Sequence, residues 1–155
     1  MYIFAIMKVN YIDIICKKYN INSYKINSDN SIDVIGDVKL KNLNLNTIPL
    51  KFNNVYGDFD CSENDLCDLK GSPKYVDGNF LCSGNCLTSL KYSPEYINGY
   101  FDFSYNFITT LEDGPMYVKD FINCVVNHLS DNIKLNPKKY LKVYSRNRCI
   151  DEILK

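Results

Sequence analysis

A glycine returns every 21 residues along this chain, at Gly36, Gly57, Gly78 and Gly99, with Asp120 at the fifth place. The blocks that follow align without a gap: GDVKLKNLNLNTIPLKFNNVY, GDFDCSENDLCDLKGSPKYVD, GNFLCSGNCLTSLKYSPEYIN, GYFDFSYNFITTLEDGPMYVK and a truncated DFINCVVNHLSDN. A fixed short period confines a chain to stacked coils, because one unit of this length can bury its apolar side only against its neighbours. The repeat units are therefore 36-56, 57-77, 78-98, 99-119 and 120-132, about four and a half in all.

Each column has a physical reading. Val38, Phe59, Phe80, Phe101 and Ile122 stand two residues before Leu40, Cys61, Cys82, Phe103 and Cys124, the spacing of a short strand with one buried face. One parallel strand per block is expected. Asn64, Asn85, Asn106 and Asn127 follow three residues after the second apolar column. A buried asparagine must place all its polar groups in hydrogen bonds, and stacked copies achieve this on the backbone of neighbouring coils. Leu66, Leu87, Ile108 and Leu129 come next, then Ile48, Leu69, Leu90 and Leu111. Pro73, Pro94 and Pro115 hold the return segment extended, and Val55, Val76, Ile97 and Val118 face inward to close the coil. The glycine column marks a backbone position that a side chain would crowd.

The pattern apolar-x-apolar-x-x-Asn-x-apolar resembles the leucine-rich repeat over residues 36 to about 132. The return segments LKGSPKYV, LKYSPEYI and LEDGPMYV look like the short Pro-containing class found in bacterial effectors and in arrays encoded by large phages. The resemblance implies an α/β-type repeat solenoid and, by analogy, a recognition surface. No ligase activity is expected from the resemblance, since that would need a catalytic domain beside the repeats. The first block departs from the pattern, with Leu43 for Asn and Phe52 for Pro, as a terminal unit meeting a cap would. In the fifth block Asn132 stands where a leucine is due, which ends the array.

An open solenoid end exposes strand edges and apolar side chains, so caps are expected at 1-35 and 133-155. Val9, Ile12, Ile15, Cys16 and Tyr19 have helical spacing, and YKIN and SIDVIG flank SDNS as a β-hairpin would. At the far end Tyr140, Lys142 and Tyr144 alternate ahead of DEILK, a pattern open to strand or short helix. The apolar stretch Met1 to Met7 is too short for a signal peptide or a membrane span. Seven cysteines without CxxC pairs suit a reducing compartment, so a cytoplasmic protein is expected. Enrichment in Asn, Lys, Ile and Tyr fits a phage, a virus or a low-GC bacterium.

Candidate chemistry is judged by column. Cys61, Cys82 and Cys124 occupy an inward column and read as core. Cys124 and His128 point to opposite sides, which argues against a nucleophile and base pair. Asp58, Asp60 and Asp102 have the chemistry of general acids or calcium ligands, but as ladder carboxylates they are expected to be solvated. No catalytic residue, metal or cofactor is expected. With 18 basic against 18 acidic residues, the chain lacks the excess positive charge of a protein that coats nucleic acid. Lys138, Lys139, Lys142, Arg146 and Arg148 form a basic cap that keeps nucleic acid as the alternative partner.

The leading expectation is a non-catalytic module that binds a protein, such as a host protein it inhibits, through the outward ladder. Its columns read Asp37, Asp58, Asn79, Tyr100, Phe121; then Lys39, Asp60, Leu81, Asp102, Asn123; then Lys41, Ser62, Ser83, Ser104, Val125. Aromatic and apolar side chains, with Tyr105 among them, gather at the last repeats as interface anchors would, unless the carboxy-terminal cap covers Phe121 and Val125. Five strands at ~4.8 Å spacing span only about 19 Å. Against the roughly 800 Å² that a standard interface takes from each partner, that face needs help from adjacent turns, a cap, or a second copy beside it.

Overall fold

The computed structural model describes residues 11–141, which form a β-solenoid of about four turns. The described chain opens in helix α1, residues 11–18, which sets Ile12 and Cys16 into the core. A hairpin follows, with β1 (Tyr24–Ile26) antiparallel to β2 (Ile32–Ile35). From there the chain alternates between two faces. One carries β3 (Val38–Lys39), β5 (Phe59–Asp60), β7 (Phe80–Leu81), β9 (Phe101–Asp102) and β11 (Ile122–Asn123) as a five-stranded parallel sheet, here the front sheet. The other, the back sheet, orders β1 and β2 beside β4 (Phe52–Tyr56), β6 (Tyr75–Val76), β8 (Tyr96–Ile97) and β10 (Tyr117–Val118). The described chain ends with α2 (Asp131–Leu135), a 3-10 turn over Pro137–Tyr140, and the buried Leu141.

The period expected from the glycines is the register of the sheets. Val38 pairs with Phe59, Phe59 with Phe80, Phe80 with Phe101, and Phe101 with Ile122, each one block apart. Val55, Val76, Ile97 and Val118 pair in the same way at the back, and Val34 pairs with Val55, carrying the register one step ahead of Gly36.

One expectation needs correction. Each turn holds two strands where one is expected, because the return segment, extended as its proline implies, also pairs with its neighbours. After the buried Pro73, Pro94 and Pro115, the dipeptides Tyr75–Val76, Tyr96–Ile97 and Tyr117–Val118 pack a β-branched residue inward and stay extended. Among the described residues helix is confined to the two ends, so the coil body is all β.

Between the sheets runs a phenylalanine spine. Phe52 meets Phe59 edge-on at 5.1 Å, Phe59 stacks on Phe80 at 5.5 Å, and Phe80 reaches Phe101 at 5.7 Å. Phe52 thus fills with a ring the space that proline fills in later turns. Cys61 and Cys82 are wholly buried beside this spine, and burial pushes both thiols well above their ordinary range. Such thiols pack as small apolar groups and do not react.

The asparagine column does what stacked buried amides must. Asn85 Nδ2 donates to Cys61 O of the turn below (3.1 Å) and to Cys82 O of its own (3.1 Å), while its Oδ1 accepts the N–H of Leu66 (3.0 Å). Asn106 and Asn127 repeat the set one and two turns on. Asn64, above the turn that has Leu43, accepts from both Leu43 and Leu45. The glycine column is equally constrained. A Cβ on Gly99 would lie 2.7 Å from the carbonyl carbon and oxygen of Gly78, and one on Gly57 would lie 2.5 Å from those of Gly36.

Two outcomes follow for stability. Asn85→Ala strands the Leu66 N–H in the core, leaves the Cys61 carbonyl with the Asn64 amide alone, and is expected to cost about 1–3 kcal/mol. That loss is read as a lower urea midpoint at unchanged slope. Gly99→Ala forces backbone against backbone and is expected to cost at least about 2 kcal/mol in the same titration, whereas a neutral result would remove the close-approach argument.

Candidate partner-binding face

The outward side of the front sheet is built by alternation, and the structure gives each of its columns a different task. The column after the glycine forms a second ladder. Asp37 Oδ1 accepts the N–H of Asp58 (3.0 Å), Asp58 Oδ1 that of Asn79 (2.7 Å), and Asn79 Oδ1 that of Tyr100 (2.9 Å). Asp58 and Asn79 therefore join turns as well as lining the surface, and Asp58 is not the simply solvated carboxylate expected.

In the next column Asp60 Oδ1 accepts from the N–H and the hydroxyl of Ser62, and Asp102 Oδ1 accepts from those of Ser104. These side-chain turns draw Ser62 and Ser104 into the surface until both are buried, so the third outward column is not a free surface at either serine. Leu81, half-buried, separates the two carboxylates by one turn on each side. Asn123 Nδ2 donates to Asp102 Oδ2 (3.2 Å). Among the described residues no group of three or more acidic, cysteine or histidine side chains is placed to hold a metal ion.

Beyond Asp102 the face changes character. The rings of Tyr100 and Phe121 stack at 4.6 Å, and the Tyr100 hydroxyl donates to Asp102 Oδ2 (3.1 Å). Burial, the Asp102 charge and that hydrogen bond push the phenol up to about 12. Phe121 is 65% exposed, Tyr105 61% and Val126 60%, with Phe107 and Val125 also exposed. Residues 131–141 leave these side chains open to solvent. Tyr105 and Val126 hold left-handed backbone at the coil corners, φ 53° and 52°, which turns their side chains out of the sheet.

The other sequence candidates separate. Cys124 is buried and its thiol is raised by burial, while His128 is exposed and packs against the Phe107 ring at 5.7 Å, on the opposite side. In the basic cap Lys138 Nζ donates to Lys119 O (3.0 Å) and Lys139 lies over the Tyr140 ring. Lys142, Arg146 and Arg148 lie outside the described residues, as do Val9 and Tyr144.

Two features escape the column reading. Tyr75, Tyr96 and Tyr117 stand in register on the outer side of the back sheet, beside Tyr56, whose ring lies 6.0 Å from that of Tyr75. Their sequence signal is the tyrosine before the inward residue in KYV, EYI and MYV. The second is a groove of about 600 Å³ on the return corner, lined by Leu50, Phe52, Gly71, Pro73 and Tyr92 among others. At its floor Gly71, at φ +102°, packs closely on the turn below, where an added Cβ would lie 2.7 Å from Leu50 O. No protein family, curated protein or solved structure matches this chain.

The Tyr100 phenol gives this face a spectroscopic handle. Asp102→Asn removes the charge and leaves a neutral amide beside the hydroxyl, so the Tyr100 phenol is expected to titrate at lower pH in the variant. The ring resonance of Tyr100, followed by NMR through the alkaline range, reads this. An unmoved midpoint would mean that Asp102 does not face the phenol in solution.

Proposed function

We propose that this chain is a non-catalytic protein-binding module whose contact surface is the carboxy-terminal end of the front sheet and its adjoining corners. The observation that carries the reading is that Phe121, Val125, Tyr105, Val126 and Phe107 are all exposed on the last two turns, from the stacked Tyr100–Phe121 pair on the sheet to the adjoining corner. Large rigid rings held on a hydrogen-bonded scaffold contribute contact area with little side-chain entropy to lose, which is the chemistry of interface anchors. Asp60, Leu81, Asp102 and Asn123 make the flanking surface, and the corners supply the area that the narrow ladder lacks.

The repeats are read as a leucine-rich-repeat variant. The bonded asparagine column supports this, and the strand in each return segment is the departure from it. Helix α1 with its hairpin, and α2 with Leu141, are read as the two caps, since Ile12, Cys16 and Leu141 bury themselves against the first and last coils. The exposed free thiols Cys67 and Cys86 suit a cytoplasmic protein, in a host cell if the source is a phage or virus.

Tyr100→Ala combined with Phe121→Ala is expected to abolish recovery of the partner protein in a pull-down from the native host while leaving the circular dichroism spectrum unchanged. Recovery undiminished in that variant but lost on Lys138→Ala plus Lys139→Ala, with steep salt dependence, would instead favour nucleic acid on the basic cap.

A further inference from the structure

Three features stand outside the proposed contact face: the groove over Gly71, the tyrosine column of the back sheet, and a pair of exposed thiols on neighbouring turns. The thiols carry the argument furthest. We propose that Cys67 and Cys86 are a modification site, an oxidisable pair that closes into a disulfide between the second and third turns.

The placement comes from the backbone. Where each coil leaves the asparagine corner, the N–H of one turn donates to a carbonyl of the turn below, and at this level the bond is Cys86 N to Leu66 O at 2.9 Å. Cys86 therefore lies against the peptide that joins Leu66 to Cys67. The covalent bonds on either side of that hydrogen bond hold the two Cα atoms within about 7 Å. A disulfide spans Cα atoms roughly 4.4–6.8 Å apart.

The side chains agree with this. The Cys67 thiol leans back towards Asp65 O, at 3.9 Å, and Asp65 is the residue one repeat below Cys86. Side chains in that column reach the same way from turn to turn, as the Phe107 and His128 rings show at 5.7 Å. Both thiols are exposed, whereas Cys61 and Cys82 are sealed in the core.

The same backbone bond recurs at the other levels, from Asp65 N to Leu45 O, Phe107 N to Leu87 O and His128 N to Ile108 O. Cysteine occupies both sides at one level alone.

The reaction is exchange with a small-molecule disulfide of the glutathione class. One cysteine thiolate attacks the reagent's S–S bond, forming a mixed disulfide and releasing one thiol. The second cysteine attacks the protein sulfur of that mixed disulfide and releases the other. Two electrons pass from the cysteines to the reagent, and the two cysteine protons end on the two released thiols.

The test uses the full chain, reduced and then equilibrated in glutathione buffers of increasing oxidised fraction. Free thiols are blocked at each step, and the chain is digested without reductant for mass spectrometry. The expected product is one intrachain cross-linked peptide pair joining Cys67 to Cys86, two hydrogen masses below the reduced pair. In Cys67→Ser or Cys86→Ser it is replaced by a glutathione adduct on the remaining partner. Separate adducts on Cys67 and Cys86 in the unsubstituted chain, or preferential pairing of either with another cysteine or with a second chain, would overturn the proposal.

Discussion

The amide of a buried asparagine holds this coil shut. Where each turn leaves the front sheet the backbone bends, and although turn-to-turn bonds continue through the corner, the N–H groups of Leu66, Leu87 and Ile108 fall out of that ladder. Asn85, Asn106 and Asn127 replace that ladder, each accepting the N–H that follows the corner below and donating to carbonyls on two turns. Because each amide serves two coils at once, the corner of one turn cannot relax without unsatisfying the next. The phenylalanine spine supplies the driving force for burial, but it is the amides that fix the bend at the same residue in every turn.

With the corner fixed, the remaining geometry follows. The glycines bring successive backbones so close that no side chain fits between them, and the carboxylate and amide oxygens of Asp37, Asp58 and Asn79 tie the start of each front strand to the next. At Tyr100 that second ladder ends, and aromatic rings take over the outward column. The proposed contact surface begins where side chains are no longer needed to join turns. Polar structure and apolar exposure are thus complementary along one face, and the passage between them falls at Asp102, which accepts bonds from Ser104, Tyr100 and Asn123 together.

Much of this was legible in the sequence because a single period sets it. The register, the inward columns, the asparagine ladder and the crowded glycine can all be read by comparing residues 21 apart. What escaped has one cause in each case. The back-sheet strands that follow Pro73, Pro94 and Pro115 are two residues long with one inward side chain each, too short to show alternation. Ser62 and Ser104 sit in an outward column, yet local bonds to Asp60 and Asp102 bury them. Cys67 and Cys86 fall in different columns, and only the offset backbone bond at the corner brings them together. The tyrosine column was visible in KYV, EYI and MYV, but it faces outward only if the return segment is a strand.

The asparagine ladder can be examined directly through amide hydrogen exchange at Leu66, Leu87 and Ile108, whose N–H groups point at Asn85, Asn106 and Asn127. If these bonds hold the coil shut, the three amides exchange only through global unfolding, with protection equal to that of the front-strand amides of Cys61 and Cys82. Exchange at the rate of exposed corner amides such as that of Lys70, while the front strands stay protected, would contradict the account, since the coils would then be held without their asparagines.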